Sequence, residues 1–207
     1  MLGCLAPILR RLIIVAAILA PVAANAADAE NRFAIKGPGA APCSKFVELY
    51  DAKSNDMLLF AGWTTGYLTA LNQTTPKTFD LAPWQSTEVL LFILRDLCSR
   101  APDEKFYRVV SGMAQMLAED KLTVLSSPVE MKSGEQTVVL PRDVVKQVQQ
   151  RLKALKFYSG GVDGAYGPGT RTAIEAFQKQ QQIDATGIPD QQTLVRLMYQ
   201  KPEAVKP

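Results

Sequence analysis

Apolar residues along most of this chain recur at intervals of three and four, the spacing of one face of an α-helix. Between residues 43 and 120 this pattern predicts four helices in one compact domain. Ser86 is placed to cap the third helix, and Pro102 to lie in the first turn of the fourth. The apolar positions of the four helices are Phe46, Leu49 and Tyr50; Phe60, Trp63, Tyr67 and Leu71; Val89, Leu90, Ile93, Leu94 and Leu97; and Phe106, Val109, Val110, Met113 and Leu117.

The second predicted helix has two features that favour a packing role. Phe60, Trp63 and Tyr67 form an aromatic stripe, which belongs to a core more often than to a ligand site. Gly62 and Gly66 lie four residues apart on one face. Since glycine lowers helix propensity, we expect this pair to let another helix approach closely.

Helical spacing fades over residues 121–141, which we interpret as a linker with a short extended piece at 138–140. It returns over residues 142–200 in three short helices separated by two turns. The apolar and small positions of these helices are Val145, Val148, Leu152 and Leu155; Ala173, Ile174 and Phe177; and Thr193, Leu194 and Leu197.

The two turns of the C-terminal segment repeat one pattern. Gly164 and Gly187 lie 23 residues apart, and each is followed six residues later by a threonine, Thr170 or Thr193, that opens a helix. We expect Gly164 and Gly167 to adopt a positive φ or to allow a close backbone approach.

Residues 144–198 resemble the type 1 peptidoglycan-binding domain, a three-helix module. Its members share a V-x-x-[VL]-Q-x-x-L helix, a V-D-G-x-[YF]-G-x-x-T turn and an A-[VI]-x-x-F-Q helix. This chain departs from the pattern at Lys156 and Gln182, where glycine is common, so we expect those loops to differ in detail. The matching residues are Val145, Val148, Gln149 and Leu152; Val162, Asp163, Gly164, Tyr166, Gly167 and Thr170; Ala173, Ile174, Phe177 and Gln178; and Thr186, Gly187, Asp190, Thr193 and Leu194.

This resemblance implies a shallow peptidoglycan-binding groove built on the turns. In it Tyr158 and Tyr166 would pack their aromatic faces on sugar or alkyl surface, with Thr170 beside them. Arg171 would pair with a carboxylate of the stem peptide. Asp163 completes the candidate set, although accepting backbone N–H bonds in its own turn is the simpler role for it.

The predicted helical domain resembles the small disulfide-closed periplasmic domains of acid-stress chaperones and of immunity proteins against secreted toxins. It shares with them the spacing of Cys43 and Cys98, Gly66-Tyr67 inside an aromatic helix, and Ala101-Pro102 after the second cysteine.

Residues 1–26 have the layout of a secretory signal, and we expect cleavage after Ala26. Two arginines precede a short apolar run that Pro21 interrupts. An uncleaved anchor is the less favoured alternative, because crossing a membrane takes about 18–20 apolar residues. Residues 27–42 then form a flexible lead-in rich in Gly and Pro.

Cys43 and Cys98 are the two cysteines left once the signal is removed. In an oxidising compartment they most simply form a disulfide, and two separate buried thiols are the alternative.

Composition excludes several classes of function. The 207 residues include 47% hydrophobic and 21% charged residues, and no histidine. Without imidazole, Ser-His-Asp and Cys-His sites and His-containing zinc sites cannot form. Carboxylate chemistry stays open, with Glu48, Glu88 and Glu104 as candidate glycosidase acids, although none lies in a lytic motif. We expect no catalytic residue, metal or cofactor.

The charge distribution is mild. Residues 27–141 hold 11 basic and 14 acidic residues, whereas residues 142–207 hold 10 and 6. The basic C-terminal end suits an anionic polymer such as cell wall, although solvated lysines explain it equally well. The sequence has no stripe of basic and aromatic residues of the kind that binds nucleic acid, so nucleic acid is not an expected partner.

The sequence thus predicts an all-α, non-catalytic, exported periplasmic protein that binds peptidoglycan through residues 142–200. We expect the helical domain at 43–120 to bind a protein partner, and no stable membrane insertion after signal cleavage. A cell-wall hydrolase with a carboxylate site in the helical domain is one alternative. A wall-anchored chaperone or immunity-like module is the other.

Overall fold

The structure is a computed structural model that describes residues 28, 30 and 32–200. The predicted signal and its cleavage site lie outside these residues. The described residues from Ile35 onward belong to one compact unit, so the helical segment and the C-terminal module are parts of a single body. Among the described residues, no helix is long and apolar enough to cross a membrane.

Four helices form the N-terminal half of this unit: α1 Cys43–Asp51, α2 Met57–Thr74, α3 Thr87–Arg100 and α4 Phe106–Leu117. Ser86 caps α3 as predicted, since its Oγ accepts from the backbone N–H of Val89 at 3.3 Å. The rings of Phe46, Phe60 and Phe106 pack with centroids between 4.7 and 5.4 Å apart. Of the predicted aromatic stripe of α2, Phe60 is buried in the core, and Trp63 and Tyr67 are partly buried and pack against it.

The predicted disulfide between Cys43 and Cys98 is confirmed. It joins the first residue of α1 to the last turn of α3, with the two Cα atoms 5.0 Å apart. Both cysteines are fully buried. The bond closes a loop with a sequence separation of 55. In the chain-entropy model a loop of this size stabilises the fold by about 4 kcal/mol.

The predicted start of α4 at Pro102 is wrong, because the helix begins at Phe106. The residues between Pro102 and Phe106 are non-helical and bond to the start of α1. The backbone N–H groups of Cys43 and Ser44 donate to the carbonyls of Glu104 and Pro102, each at 2.8 Å. A helix leaves its first N–H groups without internal partners. Residues 102–105 supply those partners instead of forming a helical turn.

Two further expectations for the N-terminal half differ from the structure. Gly62 and Gly66 are exposed, and apart from the adjacent backbone of α2 no described atom lies within 4 Å of a Cβ built on either, so no other described helix approaches them. The lead-in is not uniformly extended, since Gly37–Ala40 forms a 3₁₀ helix against α2. A Cβ on Gly39 would lie 2.2 Å from the ring of Trp63. Glycine at position 39 is therefore required by this close contact.

The segment predicted as a linker contains a β-hairpin, so the fold is mostly helical rather than all-α. Strands β1 Pro128–Ser133 and β2 Gln136–Pro141 pair antiparallel. Val129 and Met131 lie opposite Leu140 and Val138, with Met131 and Leu140 buried. Gly134 lies at the turn between the strands with φ 57°, a conformation that suits a two-residue hairpin loop.

The C-terminal module consists of α5 Arg142–Ala154, α6 Pro168–Gln180 and α7 Gln191–Leu194, which continues into a π-helical turn, Val195–Tyr199. The three predicted helices are therefore present. The module packs on the N-terminal half through Gln191, whose side chain accepts from Ser86 N at 3.1 Å and donates to Trp84 O at 2.7 Å. Tyr199 Oη also donates to Asp96 at 2.9 Å.

The two departures from the family pattern lie in left-handed backbone conformations, with φ 66° at Lys156 and 54° at Gln182. Each residue follows the C-cap of a helix whose end is closed by the same pair of bonds. After α5, Lys156 N donates to Lys153 O and Phe157 N to Leu152 O, at 3.0 and 2.9 Å. This arrangement is a Schellman motif, in which glycine is preferred because a side chain is strained at positive φ.

We therefore predict that Lys156→Gly and Gln182→Gly each raise the free energy of unfolding by about 0.5–1 kcal/mol. The matched control is Lys179→Gly, at an exposed position in the last turn of α6 with ordinary helical backbone. This change should lower stability by about 1 kcal/mol. Urea denaturation measures all three. Destabilisation by glycine at 156 and 182 would contradict the strain argument.

Candidate functional site

A buried glutamine amide holds the first turn of the module. Gln149, on α5, is 0% exposed. Its Nε2 lies 2.9 Å from Asp163 Oδ1, 3.0 Å from Ala165 O and 3.1 Å from Thr170 Oγ1. Its Oε1 accepts from Gly164 N at 2.8 Å. One side chain therefore satisfies both the donor and the acceptors at the centre of the turn.

A second buried glutamine holds the second turn in the same way. Gln178, on α6, is also 0% exposed. Its Nε2 lies 3.0 Å from Thr186 Oγ1, 3.0 Å from Ile188 O and 2.8 Å from Thr193 Oγ1. Its Oε1 accepts from Gly187 N at 2.8 Å. The repeat seen in the sequence is therefore a repeated hydrogen-bond network.

The glycines at the centres of the two turns have matching conformations, with φ 72° at Gly164 and 76° at Gly187. A Cβ on Gly164 would lie 2.7 Å from the backbone oxygen of Arg142. The expectation for Gly164 is thus confirmed on both counts. The expectation for Gly167 is wrong, since its φ is −112° and nothing lies within 4 Å of a Cβ built there.

Thr170 lies inside the first network rather than on the surface. It is 3% exposed, and its hydroxyl donates to Ala165 O at 3.1 Å while it accepts from Gln149. This hydroxyl is therefore not available to a ligand, which corrects its assignment to the groove. Burial follows from its place on α6, where it faces α5 together with Ala173 and Ile174.

Asp163 lies at the solvent side of the same network. Its Oδ1 accepts from Ala165 N at 2.8 Å and from Gln149. These two hydrogen bonds, the one from Ala165 being the larger cause, hold the pKa of the Asp163 carboxyl below its usual value of 3.8. The turn therefore favours the carboxylate form, as expected for a residue that shapes the turn.

The remaining three candidates lie around the first turns of α6 and have part of their surface free. Tyr158 Oη donates to Gly161 O at 2.9 Å, and its ring lies beside Gly169. Tyr166 Oη donates to Gly187 O at 2.8 Å, which links the first turn to the second. Burial raises the pKa of Tyr166. Both tyrosines are half-buried, so each hydroxyl is satisfied internally while ring surface stays accessible.

Arg171 carries the charge of this surface. Its Nε donates to Glu175 Oε1 at 2.9 Å, and its side chain is 47% exposed. Within the described residues the terminal guanidinium nitrogens make no hydrogen bond. They remain free to contact a carboxylate from outside, and we refer to Tyr158, Tyr166 and Arg171 together as the α6 surface.

The three glutamates considered for hydrolysis are all exposed. Glu48 and Glu104 have side chains 65% and 52% exposed, and they pair with Lys45 and Arg108. Glu88, in the first turn of α3, has its pKa lowered by its own backbone N–H and by Ser86. A general acid of this class has a raised pKa, and the pKa of Glu88 is shifted in the opposite direction.

The geometry defines a class of module: three short helices joined by two glycine turns, each held by a buried glutamine. Residues 141–197 match the protein family described as "Putative peptidoglycan binding domain". The resemblance predicted from the sequence is thus confirmed for this segment. No curated protein and no solved structure matches the chain.

Sequence reasoning missed the role of the two glutamines, although both were among the matching residues. Gln149 follows the core residue Val148, and Gln178 follows the core residue Phe177. The sequence did contain a signal for this role. In each repeat a glutamine follows a core residue and precedes the turn that runs from the glycine to the threonine. A buried amide needs hydrogen-bond partners, and a polar turn can supply them.

Gln149→Leu should therefore lower the free energy of unfolding by about 2–4 kcal/mol, because it leaves buried partners of the amide unsatisfied. The neighbouring Gln150→Leu is the control. Position 150 is exposed, and exposed substitutions usually change stability by less than about 0.5 kcal/mol. Urea denaturation of the two variants gives the comparison, and equal effects would reject the assigned role.

The lowered pKa of Asp163 predicts a pH dependence. The stabilisation from this carboxylate is fully present above its ordinary pKa of 3.8 and is lost as the pH falls through its lower value in the fold. The stability difference between the wild type and Asp163→Asn should therefore be constant near neutral pH and shift against the wild type below pH 3.8. Denaturation curves across this range test it. A difference independent of pH would contradict the assignment.

Proposed function

We propose that this protein is a non-catalytic, exported protein that binds peptidoglycan through the α6 surface of its C-terminal module. The observation that carries the proposal is the family match of residues 141–197. The two glutamine networks support it, because they fix the turns that present Tyr158, Tyr166 and Arg171.

The chemistry of the α6 surface suits a glycopeptide. Flat ring surface on Tyr158 and Tyr166 packs against the apolar faces of sugars, and the free guanidinium nitrogens of Arg171 suit a stem-peptide carboxylate. Asp163 supports this surface through the first turn without contacting the ligand. Thr170, being buried, supports it from within the module.

Export and a periplasmic location are part of the proposal. The buried disulfide supports them, since disulfides persist in oxidising compartments. The signal-like layout of residues 1–26 points the same way. In this location the module holds the helical half at the cell wall, where that half binds a protein partner.

The first test is co-sedimentation of the purified protein with peptidoglycan sacculi. Arg171→Gln should weaken binding by about 10- to 100-fold, since a charge-assisted hydrogen bond contributes about 1.5–3 kcal/mol. The loss should shrink as salt screens the pair. Stability should change little, because the bond to Glu175 is an exposed ion pair.

Arg196→Gln is the matched control, since Arg196 is an exposed arginine of the same module that also contacts a side chain four residues on. It should bind as the wild type does. A wild-type protein that stays in the supernatant would reject peptidoglycan binding. Equal binding by the wild type and Arg171→Gln would remove Arg171 from the site.

A second test addresses catalysis. Zymography on murein should show no clearing by the wild type. Clearing that disappears in Glu48→Gln, Glu88→Gln or Glu104→Gln would instead establish the hydrolase alternative.

A further inference from the structure

A cavity of about 300 Å³ lies between the helical half and the end of the C-terminal module. Its walls come from α3, α4 and the π-helical turn, and they are largely apolar and aromatic. Met116 is half-exposed, which places it where the cavity meets solvent. The apolar and aromatic residues that line it are Trp84, Ile93, Met116, Leu117, Met198 and Tyr199.

The charged residues at this cavity are acidic. Glu119 and Asp120 line it, and among its described lining residues none is basic. Tyr199 adds no charge, because burial and its bond to Asp96 raise the pKa of Tyr199 to about 12. An anionic ligand is therefore disfavoured, whereas a cation would be attracted.

Asp120 supplies the carboxylate on which the proposal for this cavity depends. It is half-buried, and its backbone oxygen accepts from Gln147 Nε2 at 2.8 Å. Its carboxylate makes no hydrogen bond or ion pair with any residue that the structure describes. Coulomb attraction between this carboxylate and a cation is stronger beside apolar walls than in bulk water, so a cationic ligand would be favoured here.

Asp120 also lines an adjoining cavity of about 320 Å³, together with Gln147, Arg151 and Met198. Arg151 gives that second space a basic residue, and its Nε is held by Leu197 O at 3.2 Å. The first cavity is therefore the one suited to a cation. Its volume lies at the lower end of the range for small-ligand sites, about 300–1,000 Å³.

We propose that the first cavity binds an organic ammonium ion carried on an apolar chain or ring. The ammonium group would pair with the Asp120 carboxylate, and the apolar part would lie among Met116, Met198 and the aromatic side chains. Trp84 and Tyr199 suit this ligand class because aromatic faces attract cations. The cavity shares no residue with the α6 surface, so the inference stands whether or not the module binds peptidoglycan.

The test is a titration of the purified protein with hexylammonium, followed by NMR of ¹³C-labelled methionine methyl groups. The methyl groups of Met116 and Met198 should shift, while those of Met57 and Met131, which do not line the cavity, should not. 1-Hexanol has the same chain without the charge. Hexylammonium should bind about tenfold more tightly, and added salt should reduce this preference.

Asp120→Asn should abolish the preference for hexylammonium over hexanol, with hexanol binding retained. Asp184→Asn, at an exposed position in another turn, is the matched control and should behave as the wild type. Met116→Trp should reduce binding of both probes by narrowing the mouth of the cavity.

Three results would overturn the proposal: no shift at Met116 and Met198, equal affinity for the two probes in the wild type, or a preference that survives Asp120→Asn. The wild-type comparison and its salt dependence decide the matter even if a variant fails to fold.

Discussion

The C-terminal module depends on two primary amides that are removed from water. Gln149 and Gln178 are fully buried, and each satisfies a glycine N–H, a threonine hydroxyl and a carbonyl of one turn. A buried amide without these partners would be strongly destabilising, so turn and amide must form together. Because Tyr166 bonds to Gly187, the two networks also fix one another. Tyr166 of the α6 surface is therefore held by both turns.

The sequence predicted the elements that local pattern determines. Helical spacing, the Ser86 cap, the cysteine pair and the repeated turns all follow from residues close in the chain or from composition. The prediction from the sequence failed where segments far apart in the chain bond to one another. Residues 102–105 satisfy the first N–H groups of α1, which no local signal reveals. The hairpin was missed because its alternating apolar positions were short and bounded by proline, serine and glycine.

The candidate site shows the same limit more sharply. A family motif includes residues that shape the turn as well as residues that face a ligand. The sequence alone does not tell these two roles apart. Partners separate them. The Thr170 hydroxyl and Asp163 Oδ1 are engaged in the Gln149 network, whereas the two terminal guanidinium nitrogens of Arg171 make no hydrogen bond among the described residues. Gly62 and Gly66 show the converse error. Their spacing predicted a close helix contact, but both glycines lie at the surface.

Gln191 has a consequence for how force passes through the molecule. It follows the second turn directly and bonds to two backbone groups at the start of α3, while Tyr199 bonds to Asp96 further along the same helix. A pull on the module is therefore transmitted straight into α3, which the disulfide ties to α1. The side-chain hydrogen bonds of Gln191 and Tyr199 therefore lie on a direct path by which tension on the module reaches the disulfide-closed helices.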